Sequence, residues 1–213
     1  MTDAPRRSAR LAKDSPPAPA TSKAETPAAA DEEKSSSLAP IEIGDTLPSF
    51  ILKNEQGEDV DVAAIAAEKG IVLFSVPAAD TRASVVLTLI LCAILLTGLR
   101  LIAGCTTQAC GFRDAYPDFS QYDFEVYCIS HDTAAAQQRW QTKKELPYPL
   151  LSDPKRELIG ALGAKNASGK TTRAHFVFTK GGKLVEKKLP VTPKDSPPLA
   201  LETVKALSAK AAL

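Results

Sequence analysis

The sequence predicts an α/β domain, a central mixed sheet flanked by helices, with a disordered tail in front of it. Two observations predict the domain: apolar β-branched runs alternate with segments of helical period, and paired glycines join two strands near the end of the chain. The 213 residues, 44% of them hydrophobic and 24% charged, fit one medium domain and exclude collagen, a coiled coil and a wholly disordered protein. The net charge of +1 does not by itself demand nucleic acid or anionic lipid as a partner.

The tail comprises residues 1–40. It has no aromatic residue, and its only large aliphatic residues are Leu11 and Leu38, so it cannot bury enough apolar surface to order itself. Four basic side chains lie close together near its start: Arg6, Arg7, Arg10 and Lys13. Such a cluster is typical of a solvated tail, and also of a nuclear import signal or of a weak contact with nucleic acid. We therefore expect the protein in the nucleus, the cytoplasm or both.

Strand patterns begin after residue 41. The predicted strands lie at 50–52, 71–76, 124–129, 172–178 and 183–189. The run at 71–76, which ends before Pro77, is mostly apolar and β-branched, as is typical of a central strand buried on both faces, and 124–129 is a second predicted strand. Gly181 and Gly182 predict a hairpin between the last two strands, because paired glycines supply the positive φ that a tight turn needs.

Helical patterns lie at 110–119, 134–144, 158–162 and 199–209. One further run, Val85–Leu99, fits nothing around it, because it has no charge and interrupts a strand-to-helix junction. It is slightly shorter than the ~20 residues that a membrane-spanning helix requires. Because it is apolar all round, it also does not fit a helix packed on one face of the domain.

The four cysteines are clustered, at positions 92, 105, 110 and 128, rather than spread as a disulfide framework would be. No signal-peptide pattern opens the sequence, so we expect an intracellular, reducing compartment. Cys105 lies at the start of a predicted helix and Cys110 five residues further on. Backbone N–H groups and the positive end of the helix dipole favour the nucleophilic thiolate there. A reactive thiol is the favoured interpretation, and two unrelated free cysteines are the alternative.

Neither a metal nor another cofactor is predicted. The two cysteines are separated by four residues, no second pair follows, and His131 and His175 lack the spacing of metal ligands. Cys128 lies within a predicted strand and is expected to be a small buried apolar side chain. We expect His131 in a loop, and His175 on the same strand face as Arg173, where tuning of the substrate is one interpretation.

Four ordered segments form one pattern: Pro77-Ala78-Ala79-Asp80-Thr81, Gly104–Asp114, Leu146–Pro154 and Thr172–Phe178. With them the sequence resembles the peroxiredoxin family, in particular its Q type, also called bacterioferritin comigratory protein, and within it the fungal nuclear thiol peroxidases. The family signature reads Pro-x-x-x-Thr-Pro-Gly-Cys followed by Thr-x-x-x-Cys. The first two segments match its two halves, so the signal is more specific than an isolated pair of cysteines.

The resemblance implies a thioredoxin-like fold and a thiol-dependent peroxidase for hydrogen peroxide and alkyl hydroperoxides, active in antioxidant defence and redox homeostasis. It implies that Cys105 is the peroxidatic cysteine and that Cys110 resolves its sulfenic acid as an intramolecular disulfide, as in atypical two-cysteine enzymes recycled by thioredoxin. It further assigns hydrogen bonding at the thiolate and peroxide to Thr81, charge stabilisation to Arg173, and shielding from water to Pro77. We expect a monomer.

The predicted domain, residues 41–213, departs from the family at residues 82–103. In the family one proline separates the threonine from Gly-Cys, whereas here these residues stand in its place. Codon choice allows a retained intron. If Arg82 is CGT and Ile102-Ala103 is ATA-GCN, removal of the bases from GT to TAG leaves CCN, a proline codon, in frame. We expect such an intron, with a membrane anchor and a lineage-specific insertion as the alternatives.

A non-enzymatic function is the alternative from a different class. In it the chain is a membrane-tethered or chromatin-associated protein whose peroxidase site the insertion has split. For the enzyme we expect hydroperoxides and thioredoxin as partners, a weak nucleic-acid contact through the tail, and no membrane attachment. Peroxide consumption by the chain with and without residues 82–103 distinguishes the two.

Overall fold

The structure, a computed structural model, describes residues 39–79 and 104–211. The strands in these ranges are β1 (Ile51–Asn54), β2 (Asp59–Asp61), β3 (Gly70–Ser75), β4 (Phe124–Ser130), β5 (Leu150–Ser152), β6 (Ala174–Phe178) and β7 (Leu184–Lys188). The helices are α1 (Val62–Glu68), α2 (Gly104–Gln121), α3 (Ala134–Lys144), α4 (Glu157–Ala161) and α5 (Ser196–Ala211). The predicted tail, apart from residues 39 and 40, and the whole predicted insertion lie outside the described residues.

The strands form one mixed sheet in the order β2-β1-β5-β4-β3-β6-β7. β4 runs parallel to β3 and β5, and the other neighbouring pairs are antiparallel. β3 and β6 are buried along their whole length and β4 nearly so, which explains their mostly apolar sequences. His175 is the buried polar exception on β6. The predicted hairpin is confirmed, because Gly181 (φ 91°) and Gly182 (φ 77°) lie between the paired strands β6 and β7.

Alternate residues of β3 supply two apolar layers, as the two-residue period of a strand requires. Ile71 and Leu73 lie in the layer that also contains the buried side chains of α1 and α4. Val72 and Phe74 lie in the layer that contains those of α2, α3 and α5. The ring of Phe74 stacks on Phe112 of α2, with centroids 4.3 Å apart. The central strand thereby fixes the position of the helix that carries both predicted active-site cysteines.

Helix α2 begins at Gly104, earlier than the helical pattern at 110–119 indicates. Its first turn lies against the segment that precedes α5. A Cβ atom on Gly104 would lie 2.9 Å from Cγ of Pro193, and one on Gly111 would lie 2.8 Å from Cγ of Pro197. Any larger residue would push the two segments apart, so these glycines allow the close approach.

Three short elements were not predicted: β2, α1 and β5. Helix α1 has seven residues and begins after Asp61, whose Oδ1 accepts the N–H of Ala63 at 2.9 Å. Strand β5 has three residues, and the N–H of Leu150 donates to Oε2 of the buried Glu55 at 2.8 Å. Such elements depend on tertiary contacts and are too short to show a period in the sequence.

No helix within residues 39–79 and 104–211 is long and apolar enough to cross a membrane. The apolar run at 85–99 lies outside these ranges. Within the same ranges, no group of three or more His, Cys, Asp or Glu side chains could hold a metal ion.

Candidate active site

Cys105 is the second residue of α2, and its side chain is 6% exposed. The first N–H groups of a helix have no intrahelical acceptor, so they and the helix dipole favour negative charge at this position. Cys105 belongs to the same buried apolar cluster as Val76 and Ala79, which follow β3. The thiol is free. A nucleophilic sulfur is thus placed where water is largely excluded and an anion is stabilised.

Arg173, the residue immediately before β6, contacts this thiol. Its Nη2 donates to Sγ of Cys105 at 3.5 Å, and its Nη1 donates to Oε1 of Gln108 at 2.8 Å. The fold therefore brings together Cys105 and Arg173, both of which the sequence predicted. Sequence reasoning missed Gln108, although its position three residues after Cys105 places it on the same face of the helix.

The loop that begins at Pro77 is attached to the end of β4. Pro77 is half-buried, and Oδ2 of Asp132 accepts the N–H of Ala79 at 2.6 Å. Asp132 was not predicted, since an aspartate after a strand carries no distinctive signal. Thr81 lies outside the described residues, so its contact with Cys105 stays a prediction.

Cys110 lies in the same helix but in different surroundings. It is half-exposed and lines a groove, named here the α2 groove, together with Thr106, Thr107, Gly111, Asp114, Pro193 and Lys194. Five residues of an α-helix rise about 7.5 Å and turn about 140°, so the sulfurs of Cys105 and Cys110 point in different directions. A disulfide needs Cα atoms within about 7 Å and converging Cβ atoms. The helical, dithiol state therefore keeps the two thiols apart.

Two side chains hold the helix near Cys110. The hydroxyl of Tyr148 donates to the carbonyl of Ala109 at 2.7 Å, and burial raises the pKa of Tyr148 well above its ordinary value, which keeps it a donor. Nη1 of Arg113 donates to the carbonyl of Lys144 at 2.9 Å. Neither contact was predicted, because Tyr148 and Lys144 are distant in sequence from the helix.

Cys128 and the two histidines make no hydrogen bond to Sγ of Cys105 within the described residues, and Cys92 lies outside them. Cys128 is fully buried, as predicted, and burial raises the pKa of its thiol well above the ordinary value, so it stays protonated. His131 lies in the loop after β4, which confirms the prediction. His175 is fully buried and lies 3.0 Å, through Nδ1, from Oγ of Ser196.

Comparison with known proteins finds similar sequences among the peroxiredoxins. The family model described as the AhpC/TSA family matches residues 99–187. Peroxiredoxin bcp1 of Schizosaccharomyces pombe is 40% identical over 155 residues, which cover 72% of this chain and 69% of that protein. Peroxiredoxin Bcp of Bacillus subtilis is 30% identical over 177 residues, which cover 80% of this chain and 99% of that protein.

Solved structures give the same result for the fold. The crystal structure of peroxidoxin BcpB from Mycobacterium tuberculosis superposes with a TM-score of 0.63 at 25% identity, and the match covers 78% of this chain and 97% of that one. A mutant of PrxQ from Xylella fastidiosa gives a TM-score of 0.63 at 20% identity, covering 81% and 99%. The predicted thioredoxin-like fold and the predicted resemblance are both confirmed.

Proposed function

Since this chain belongs to the AhpC/TSA family, as a thiol peroxidase of the Bcp type of peroxiredoxin, we propose that Cys105 is its peroxidatic cysteine and Cys110 its resolving cysteine. One observation supports the first role above all. The buried Sγ of Cys105 lies at a helix N-terminus, 3.5 Å from the Arg173 guanidinium. Those surroundings favour a thiolate and an anionic leaving group at one place.

The first step consumes the peroxide. The Cys105 thiolate attacks the distal oxygen, the O–O bond breaks, an S–O bond forms, and the departing alkoxide or hydroxide takes a proton to leave as alcohol or water. Cys105 becomes a sulfenic acid. Arg173 stabilises the charge before and during the step, Thr81 exchanges hydrogen bonds with thiolate and peroxide, and Pro77 shields the sulfur from water.

The second step forms the disulfide. The Cys110 thiolate attacks Sγ of Cys105, an S–S bond forms as the S–O bond breaks, and the sulfenic hydroxyl takes up a proton and leaves as water. Because both cysteines lie in α2, this step requires unwinding of at least the turn that carries Cys110. Gly111 lowers the free energy of unwinding by up to about 1 kcal/mol relative to alanine. A dithiol reductant such as thioredoxin then restores both thiols by exchange.

The substrates proposed are hydrogen peroxide and small alkyl hydroperoxides. Alkyl peroxide reduction is an activity of the bacterioferritin comigratory protein from Xanthomonas campestris, a structural neighbour that is 20% identical to this chain. Cys105 is buried, which favours compact substrates.

The domain boundaries remain proposals. We propose a disordered tail over residues 1–40 and a catalytic domain over 41–213, interrupted by a retained intron at 82–103. Its removal would place one proline between Thr81 and Gly104, as the family signature requires. The competing non-enzymatic function would hold only if the mature protein kept the insertion and had no peroxidase activity.

The test compares three cysteine variants in the chain that carries one proline in place of residues 82–103. Cys105→Ser should abolish peroxide consumption, whereas Cys110→Ser should allow one round and block recycling by thioredoxin. Cys128→Ala is the matched control and should keep full turnover. Full thioredoxin-linked turnover by the Cys105→Ser protein would refute the assignment.

We also propose that the basic tail directs the protein to the nucleus. Residues 1–40 fused to a fluorescent reporter should shift it into the nucleus, and replacing the four basic residues named above with alanine should abolish the shift. An unchanged distribution would remove the argument for a nuclear location.

A further inference from the structure

A row of buried polar side chains leads from Arg173 into the domain. Nε2 of Gln108 donates to Oγ of Ser196 at 2.9 Å, and this Oγ lies 3.0 Å from Nδ1 of His175. Nε2 of His175 lies 3.7 Å from Oε2 of Glu186 on β7. Gln108, Ser196 and His175 are fully buried. We name these four residues, Gln108, Ser196, His175 and Glu186, the polar row.

Arg173 fixes the orientation of the first member. A guanidinium has only donors, so the amide of Gln108 must present its oxygen to Nη1 of Arg173. The amide nitrogen therefore points to Ser196 and to the carbonyl of Ala174, 3.5 Å away. A flipped amide would place two donors against each other at 2.8 Å, which is unfavourable in a buried site.

The orientation of Gln108 determines where the Ser196 proton goes. Since Oγ of Ser196 accepts from Gln108, the hydroxyl must donate elsewhere, and its other neighbour among the described residues is Nδ1 of His175. Nδ1 must therefore be an unprotonated acceptor, and the imidazole proton must lie on Nε2. A proton on Nδ1 would leave the buried hydroxyl proton without an acceptor within the described part of the chain.

Glu186 completes the row with a group that only accepts. Burial alone would raise the pKa of the Glu186 carboxyl, but contacts with His175 and Thr203 and the charge of Lys188 outweigh it, and the net shift is downward. Glu186 is therefore a carboxylate at neutral pH and faces the Nε2 proton of His175. At 3.7 Å the contact between Nε2 of His175 and Oε2 of Glu186 is longer than a hydrogen bond, and neither atom has a hydrogen-bond partner within the described residues. The carboxylate therefore acts on the ring as a nearby negative charge, and the Ser196 contact is what fixes the proton at Nδ1.

We propose that His175 is a positioning residue for the reaction at Cys105: by accepting the Ser196 proton it fixes the amide of Gln108, which in turn holds the guanidinium of Arg173 against Sγ. This inference rests on the proposed role of Cys105. A long arginine side chain has many rotamers, and one nitrogen tethered by Gln108 leaves the other directed at the sulfur.

The first test measures the thiol directly, without peroxide, in the chain that carries one proline in place of residues 82–103. The rate of Cys105 alkylation by iodoacetamide at neutral pH is followed by peptide mass spectrometry. His175→Phe and Ser196→Ala should slow it about threefold to tenfold, the effect of losing one hydrogen bond that positions the charge. His175→Asn, whose side-chain oxygen can replace Nδ1 as acceptor, should alkylate faster than His175→Phe. His131→Phe is the matched control and should leave the rate unchanged.

The second test reads the proton itself. The sequence has two histidines, so the His131→Phe protein shows only the imidazole of His175 in a nitrogen-15 spectrum. We expect Nε2 at the shift of a protonated ring nitrogen and Nδ1 at that of an unprotonated one. A proton on Nδ1 at neutral pH would overturn the proposal.

The proposal would also fall if His175→Phe alkylated at the unchanged rate, or if His175→Asn were no faster than His175→Phe. If the NMR spectrum of His175→Phe lacks the dispersion of a folded protein, the alkylation rate of Cys105 in Ser196→Ala decides instead. An unchanged rate in that variant would overturn the proposal. Neither test reads peroxide turnover. If the protein has no peroxide turnover but Cys105 is alkylated more slowly in His175→Phe, only the proposed function is refuted. If the protein has peroxide turnover but the alkylation rate is unchanged in His175→Phe, only this inference is refuted.

Discussion

Cys105 and Cys110 lie in one helix, but they differ in burial and in the contacts that surround them. Cys105 is buried and contacts Arg173, which the buried polar row holds in place from β6, α5 and β7. Cys110 is half-exposed beside the α2 groove. The carbonyl before it is held by one hydroxyl, that of Tyr148.

Under the proposed roles of the two cysteines, the end that carries Cys105 keeps its position and the end that carries Cys110 moves. Peroxide reduction needs fixed charges around the sulfur, because donors act best when they are already in position. Disulfide formation needs the opposite, since the thiols of one helix meet only when a turn opens. The predictions below test each end separately.

The largest effect should come from the insertion. Replacing residues 82–103 with one proline should raise the rate of peroxide reduction at least about 100-fold, because Thr81 must lie within hydrogen-bond reach of the Cys105 sulfur. The longer chain should also aggregate, since an exposed apolar run is poorly tolerated in water. Stopped-flow kinetics and light scattering measure the two effects.

The alkylation rate of Cys110 is the control for that comparison, and it should be equal in both chains. Equal peroxidase activity in a soluble, monomeric 213-residue protein would contradict the retained-intron proposal.

The next effect concerns the charge at Cys105. Arg173→Lys should lower the rate of peroxide reduction about tenfold to a hundredfold, because a lysine keeps the charge but cannot donate to Gln108 and to the sulfur through a rigid fork. The rate of disulfide resolution by Cys110 should change much less. Arg139→Lys, an exposed arginine on α3, is the control. An equal loss in both steps would show that the two ends are not independent.

A smaller effect is expected at the other end. Tyr148→Phe removes the hydroxyl that donates to Ala109, a hydrogen bond worth about 1 kcal/mol, and should speed disulfide formation about fivefold. The fluorescence of Trp140, the one tryptophan of the chain, can follow this step. Tyr122→Phe, a partly buried tyrosine packed against the same core layer, is the control.

Hydrogen exchange tests the same movement without a mutation. Amides of residues 105–114 should exchange faster in the disulfide form than in the dithiol form. Equal protection in both forms, with the Cys105–Cys110 bond confirmed by mass spectrometry, would show that resolution does not unwind the helix.

The smallest effect is on acid stability. Because the folded pKa of Glu186 is lowered, its ionised form stabilises the fold above the ordinary carboxyl pKa, and this contribution is lost as the pH falls through the folded value. Glu186→Gln should therefore reduce the drop in urea stability between neutral and acid pH by at most about 1 kcal/mol. Glu202→Gln, on the exposed side of α5, should leave it unchanged.

The fold was predictable where a pattern is long. Central strands buried on both faces leave continuous apolar runs, and the helix at 134–144 was predicted with the observed bounds. The helical pattern at 110–119 did not include the first turn of α2, although Cys105 was expected at a helix start, because Thr106 and Thr107 are β-branched and this turn packs against Pro193.

Site residues could be predicted from the sequence only where they lie in a segment that matches the family. Cys105 lies in the family signature and Arg173 in a later segment that matches the family, and the structure places the two in contact. Ser196 lies 88 residues from Gln108, and a single serine before a proline pair has no pattern that would predict this contact. Hydrogen bonds between distant residues depend on the packed fold, so no local pattern records them.

The two glycines of α2 face prolines, and this pairing affects what the helix does after it opens. Pro193 and Pro197 have no N–H group to offer to carbonyls that an unwinding turn would expose. The N–H groups of Asp195 and Ser196 between them already donate to Oγ1 and the carbonyl of Thr192. The surface beneath α2 thus provides, at these four positions, no alternative hydrogen-bond donor that could trap an opened turn. Once the disulfide is reduced, these four positions offer the carbonyls of the turn no competing backbone donor, which favours the return of their own helical hydrogen bonds.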